Sequence, residues 1–258
     1  MFRYFALVFG ALCYLLSSAV LAYYLCWLGG FLVPKTIDSG TIDSGTIDSG
    51  AAALLINALL VALFVVPHSM LARPRFKVWW TRIVPAPIQR SVYLLHATLA
   101  IALMMAAWQA LPAPLWQVDH PLAQALLWGG FALGWIFMLG GAFSIDHLEL
   151  MGLKQVAYNF LGAPLPAQPF SVRWFYSVVR HPIALGHLLV VWCHPQMSLG
   201  HAYYATLATI YVFYATYRLE EPDLDQAFGE TYAAYRKRVP GLVPLGTMLS
   251  PRRDRPRL

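Results

Sequence analysis

The chain has 258 residues, of which 59% are hydrophobic and 12% charged, and its 18 Lys and Arg outnumber its 12 Asp and Glu for a net charge of +6. Together with a mean hydropathy of +0.57, this composition excludes both an ordinary soluble domain and a disordered chain. The basic residues are dispersed between apolar runs with no recognisable binding motif, which excludes nucleic acid as a partner.

In chain order, residues 4–34, 49–72, 91–118, 120–145 and 181–217 carry no Asp, Glu, Lys or Arg, and a spanning helix needs roughly 20 apolar residues. The first run follows Arg3 as a signal peptide would, but it is far longer than a signal's apolar segment and has no convincing cleavage site, so it is expected to be retained as a helix. The run 181–217 is interrupted near its middle by Pro195 and Gly200 and reads as a membrane hairpin whose two ends meet at one face. Each half is a little short, so these helices are expected to tilt little or to span incompletely. The expectation is an all-α, polytopic membrane bundle of about five to six transmembrane helices. It forms one membrane domain, 1–258, in which 1–145 is a four-helix scaffold and 146–258 is a module containing the hairpin 181–217 and a C-terminal arm.

With a cytoplasmic N-terminus, every Lys and Arg except Lys35 falls in a cytoplasmic segment, and Lys35 shares its loop with Asp38, Asp43 and Asp48. The positive-inside rule therefore predicts six crossings with both termini in the cytoplasm of a bacterial inner membrane, and the net charge draws the protein to anionic lipid headgroups. That outer loop writes Thr-Ile-Asp-Ser-Gly three times from Thr36 to Gly50, a unit too short for a solenoid and rich in turn residues. Cys13, Cys26 and Cys193 form no CxxC pair or disulfide framework. His187, His194 and His201 recur every seventh residue, but Pro195 interrupts the helix that would align them into a haem or metal site, and no metal is expected.

Two charged clusters bracket the hairpin. Pro182 suits the first position of a helix, so Arg180 and His181 sit where free N–H groups and the helix dipole favour an anion such as a carboxylate. Glu220 and Glu221 sit at the opposite kind of helix end, where the dipole disfavours them. Either salt bridges to Arg180, Arg218 or Arg236, or a ligand's ribose hydroxyls or ammonium, must compensate them. Beyond Pro222, residues Leu224, Ala227, Phe228, Thr231, Tyr232 and Tyr235 fall on one helical face, which predicts a cytoplasmic amphipathic helix acting as a lid or as an interfacial anchor.

Val179-Arg180-His181-Pro182, Gly186, Leu219-Glu220-Glu221 and Phe228-Gly229-Glu230 with Tyr232, Tyr235 and Val239-Pro240 resemble the C-terminal module of the isoprenylcysteine carboxyl and phospholipid methyltransferase superfamily. Within it, Pro34 to Gly40 and Phe143 to Gln155, with Ile145-Asp146-His147-Leu148-Glu149-Leu150 at their centre, look like the bacterial methanethiol S-methyltransferases. The resemblance covers nearly the whole chain, with two departures. Ala184 stands where the superfamily usually has Tyr, and the pentapeptide the family shows once is tripled.

The resemblance implies S-adenosyl-L-methionine as cofactor and S-adenosyl-L-homocysteine as product. It implies a small thiol as substrate, membrane lipid as surroundings, and an active site at the cytoplasmic face. Cofactor contacts are expected at Tyr176, Arg180, His181, Pro182, Gly186, Glu220 and Glu221, with Arg180 on the carboxylate and a glutamate on the ribose or ammonium. A thiol is mostly protonated at neutral pH, and Asp146 orienting His147 is the expected base. The competing readings are methylation of a prenylcysteine or lipid headgroup, which needs a groove open to lipid, and a non-enzymatic transporter or haem-binding protein. Nothing in the sequence sets an oligomeric state.

Overall fold

The computed structural model describes residues 1–39, 50–167 and 170–243, so residues 40–49, which hold most of the second and third copies of the pentapeptide, and the basic tail after Val243 lie outside the described residues. Among the described residues, four helices are long and apolar enough to cross a membrane: α1 (Phe2–Gly29), α2 (Gly50–Ala72), α4 (Gln89–Ala107, led in by a short 3₁₀ turn) and α5 (Pro121–Ser144). Between α2 and α4 lies the short α3 (Pro74–Trp80), and after α5 come α6 (His147–Leu150) and α7 (Leu153–Leu161). The hairpin follows as α8 (Pro182–Trp192) and α9 (Leu199–Tyr214), and the arm as α10 (Glu221–Phe228) and α11 (Glu230–Arg238). Many large side chains on the long helices face outward, among them Leu12, Leu59, Leu126, Ile136 and Ile210. Such a surface is stable only against lipid, and the chain is an integral membrane protein.

With 11 residues, α8 extends about 17 Å, too short to cross the hydrocarbon core, roughly 30 Å thick. Its tip is therefore non-helical backbone that needs partners. They come from the loop before α5, whose strand β1 (Pro114–Gln117) pairs antiparallel with β2 (Gln196–Ser198). Val118 N–H donates to the Pro195 carbonyl (2.9 Å), Leu199 N–H to Ala113 (2.8 Å) and Trp116 Nε1 to His194 (3.1 Å). The first pentapeptide copy docks here too: Ile37 is fully buried and Ser198 Oγ donates to the Asp38 carboxylate.

Small residues let α5 and α8 lie backbone to backbone. A Cβ on Gly186 would fall 2.4 Å from the Gly134 carbonyl oxygen, and one on Gly134 2.6 Å from the Gly186 oxygen. The contact fixes the hairpin against the scaffold, as small-residue interfaces do in membranes. On the other side of α8, an aromatic core of Trp27, Trp108, Trp135, Tyr24 and Tyr204 joins α1, α4, α5 and α9. Ser17 and Thr98 hydroxyls meet at 2.6 Å across α1 and α4.

The arm differs from the single helix expected beyond Pro222. It breaks at Gly229, whose φ of 50° and ψ of −125° are open to glycine and closed to residues with a Cβ. Its apolar face turns onto Phe170, with ring centroids 5.0 Å from Phe228 and 5.4 Å from Tyr235, and Tyr232 and Tyr235 are buried.

Gly186→Ala must push two backbones apart, so it should destabilise the protein by about 1–3 kcal/mol, whereas a Cβ at Gly129 meets nothing within 4 Å and Gly129→Ala should be neutral or stabilising. Thermal unfolding of the two variants in detergent checks this. Equal midpoints would contradict the packing.

Candidate active site

The chain leaving α9 passes through a π-helical turn, Ala215–Glu220, before Pro222, which has no N–H to continue the α-helical ladder. The wider turn brings consecutive carboxylates, Glu220 and Glu221, to the start of α8. Glu221 Oε1 accepts from Arg180 Nε at 2.9 Å and Nη2 at 2.6 Å, and lies 3.0 Å from His181 Nε2. His181 Nδ1 lies 3.1 Å from Glu220 Oε2. The Arg180 and Glu221 side chains are each 9% exposed and that of Glu220 54%. Burial opposes the Glu221 charge, but His181 and Arg180 outweigh it and hold this carboxyl below its ordinary range.

Arg180 also gathers the end of the arm. Its Nη1 donates to the carbonyls of Val239 (2.5 Å) and Arg236 (3.2 Å), while Arg180 N–H donates to Pro240 (2.8 Å) and His181 N–H to Gly241 (3.3 Å). Tyr235 Oη donates to the Tyr176 carbonyl at 2.6 Å. Burial, with Glu220 adding to it, raises the Tyr176 phenol well above its usual range, so it stays a neutral hydroxyl.

Behind this clasp lies a cavity of about 970 Å³. Its mouth is polar, with Arg73, Lys77, Arg90, Glu149, Glu220 and Asp223 on the wall; its floor, deep among the membrane helices, is lined by Leu21, Tyr24, Met104, Met138, His187 and Tyr204. Phe170, Tyr176, Phe228, Tyr232 and Tyr235 line it on the side of the arm. Two mouth cations are already anchored: Arg73 donates to the Leu219 carbonyl (3.1 Å) and pairs with Asp223 (3.1 Å), and Arg90 donates to the Leu150 carbonyl (2.6 Å).

Compared with known proteins, the chain is 42% identical to methanethiol S-methyltransferase 1 of Bradyrhizobium diazoefficiens, over 94% of this chain and 83% of that one. It is 38% identical to the methanethiol S-methyltransferase of Mycobacterium tuberculosis, over 94% and 97%. The chain belongs to the methanethiol S-methyltransferase family. It is also 34% identical to Nurim of Rattus norvegicus over 67% of this chain and 68% of that one. No family model and no solved structure matches it.

Among the residues expected at the site from the family's motifs, Tyr176, Arg180, His181 and Glu220 line the cavity together. Glu221 is turned inward to the clasp. Pro182 and Gly186 face α5, where a Cβ on Gly141 would meet the Pro182 ring at 3.1 Å and Gly186 meets Gly134. They shape the start of α8 and do not touch the cavity. Arg180 has most of its donors committed to Glu221 and to backbone carbonyls, so it is a strut of the wall before it is a ligand.

The expected pair of Asp146 and His147 is not formed. Asp146, at φ 73°, caps α6 by accepting from Glu149 N–H at 3.2 Å and pairs with Lys154 Nζ at 2.6 Å. The Lys154 hydrogen bond holds its carboxyl below the ordinary value. The His147 ring packs on Phe143, centroids 4.1 Å apart, with Tyr14 at 6.4 Å. Neither residue lines the cavity; from this segment Ile145, Glu149 and Leu150 do. Sequence reasoning also missed Arg73, Lys77 and Arg90, counted only as topology signals, and weighed His187 only as part of a haem or metal site, although an ionisable side chain inside a membrane helix is itself a signal.

Because the folded Glu221 carboxyl titrates below its ordinary value of 4.5, its contribution to stability is full above that pH and is lost as pH falls through the lowered value. Glu221→Gln should lower the unfolding midpoint at neutral pH, and its stability should fall less than the wild type's on acidification below about pH 4.5. Identical pH profiles for the two proteins would remove the clasp from the stability of the fold.

Proposed function

We propose that this protein transfers a methyl group from S-adenosyl-L-methionine to methanethiol, forming dimethyl sulfide at the cytoplasmic face of a bacterial inner membrane. The observation that carries this reading is the cavity itself: one continuous space, at the upper end of ligand-pocket sizes, joining a charged mouth to an apolar floor. It has room for a nucleoside-sized zwitterion at the mouth and a very small apolar partner below it.

The residues present fit such a cofactor. Half-exposed Glu220 suits the ribose hydroxyls or the ammonium, and Lys77 and Arg90 suit the carboxylate as charge-assisted donors. The aromatic wall of Phe170, Phe228 and Tyr232 suits the purine, and Tyr176 and His181 close the side. When bound, the cofactor supplies an activated sulfonium methyl, so the protein's own work is to bring the thiol sulfur in line and to exclude water. Trp27, Met104 and Trp135 in the core around the floor favour an uncharged thiol arriving from the lipid. The basic residues gathered at the cavity's end support the cytoplasmic orientation.

A lipid or prenylcysteine substrate has less support, because the relatives that match most of the chain are methanethiol S-methyltransferases.

Calorimetry should show S-adenosylhomocysteine binding to the purified protein. Glu220→Ala should weaken it by about 1.5–3 kcal/mol, the value of hydrogen bonds to charged groups, and headspace gas chromatography should detect dimethyl sulfide when methanethiol and the cofactor are supplied together. A folded protein that binds no S-adenosylhomocysteine would contradict the reading.

A further inference from the structure

We propose that His187, on the floor of the cavity, takes the proton from the thiol, an inference that rests on the thiol-methylation reading above. The residue lies on α8 about 9 Å below His181 by helical rise, and both line the cavity, with Ala184 between them on the same wall. Its ring stacks parallel to that of Tyr24 (centroids 6.2 Å apart, 7° between planes) and meets Tyr204 edge-on at 6.5 Å. It makes no side-chain hydrogen bond among the described residues. The Tyr24 and Tyr204 hydroxyls are occupied with each other at 2.5 Å.

His187 is half-buried against the cavity, and a polar ring inside a membrane bundle is costly to hold without a hydrogen-bond partner. A side chain held that way, with open space in front of it, is placed for something that enters the space. His194 hydrogen-bonds the Gln196 carbonyl, and His201, fully buried beside it, has among the described residues no hydrogen-bond partner on either ring nitrogen and only a 3.9 Å approach to Asp38. Both belong to the packing of the hairpin tip, and neither lines the cavity.

The groups facing His187 are those of the floor. Tyr24 comes from α1 and Tyr204 from α9, while α2, α4 and α5 contribute Val61, Met104 and Met138, none of which titrates. Higher on the wall stand His68 and Tyr211, and beyond them the charged ring of the mouth. With no carboxylate on the floor, His187 is the base available there for a thiol whose pKa lies near or above that of Cys, about 8.5.

The thiol proton moves to an imidazole nitrogen of His187, leaving the electron pair on sulfur. That pair forms the new bond to the methyl carbon of the sulfonium donor, and the old carbon–sulfur bond breaks with its electrons staying on the donor sulfur, now a neutral thioether. The imidazolium then returns its proton to water at the mouth. Ala184 fits this path, because a side chain no larger than a methyl one turn above His187 keeps the way between floor and mouth open.

The test uses the full-length protein in detergent with sinefungin, a donor analogue that keeps a positive charge where the sulfonium sits. Adding methanethiol at neutral pH should give the ultraviolet absorption of a bound thiolate in the wild type. His187→Ala and the near-isosteric His187→Gln should lose that absorption while keeping S-adenosylhomocysteine affinity. Their turnover should fall on the order of 100-fold or more, and the deficit should narrow as pH rises and the thiol ionises unaided. No thiolate signal in the wild type, or an unchanged signal and pH profile in either variant, would overturn the role of His187. A wild type that binds sinefungin yet methylates no thiol would instead overturn the reading of the substrate.

Discussion

The Arg180–Glu221 ion pair, with His181 bridging to Glu220, is the interaction on which the rest of this site depends. A nearly buried ion pair contributes little unless its geometry is good and its remaining donors are satisfied. Here the guanidinium meets Glu221 through two nitrogens and spends the third on the Val239 and Arg236 carbonyls. The pair thereby ties three segments far apart in sequence: the start of α8, the end of the α9 helix and the strand-like return after α11. Removing either partner would strand the other charge and cost roughly 3 kcal/mol or more, and it would release the wall that separates the cavity from solvent.

What the clasp closes is a gradient of polarity. Charges cluster at the mouth, aromatic rings line the arm side and apolar residues line the floor, so a charged cofactor and an uncharged volatile thiol would be drawn to opposite ends of one space. Both neighbouring carboxylates meet the start of α8, Glu221 through Arg180 and His181 and Glu220 through His181. The Gly134–Gly186 contact matters at a distance: it sets the rotation of α8, and hence which of its residues face the cavity.

The long membrane helices were legible because charge-free runs follow directly from the cost of burying charge in lipid. The meeting of Arg180 and His181 with the two glutamates was legible for a related reason, since a hairpin returns its ends to one face. The pairing of Asp146 with His147 was misread because adjacency in sequence is not proximity of side chains. Asp146 adopts a left-handed backbone conformation to cap α6, which sends consecutive side chains apart, toward Lys154 and toward Phe143. The break at Gly229 was hidden in a pattern that reads as one amphipathic helix. Gly186 was read as a ligand contact when its missing side chain serves a helix crossing. The first pentapeptide copy, docked through Ile37 and Asp38, shows a structural role that repetition alone did not reveal.

The central claim is that the clasped cavity is where methyl transfer takes place. The most direct measurement is an experimental structure of the intact protein with S-adenosylhomocysteine bound. The account predicts the ligand's polar groups at the mouth beside Glu220, its sulfur between His181 and His187, and the Arg180–Glu221 pair intact. A ligand held outside the cavity, or one that replaces Glu221 as the partner of Arg180, would contradict it.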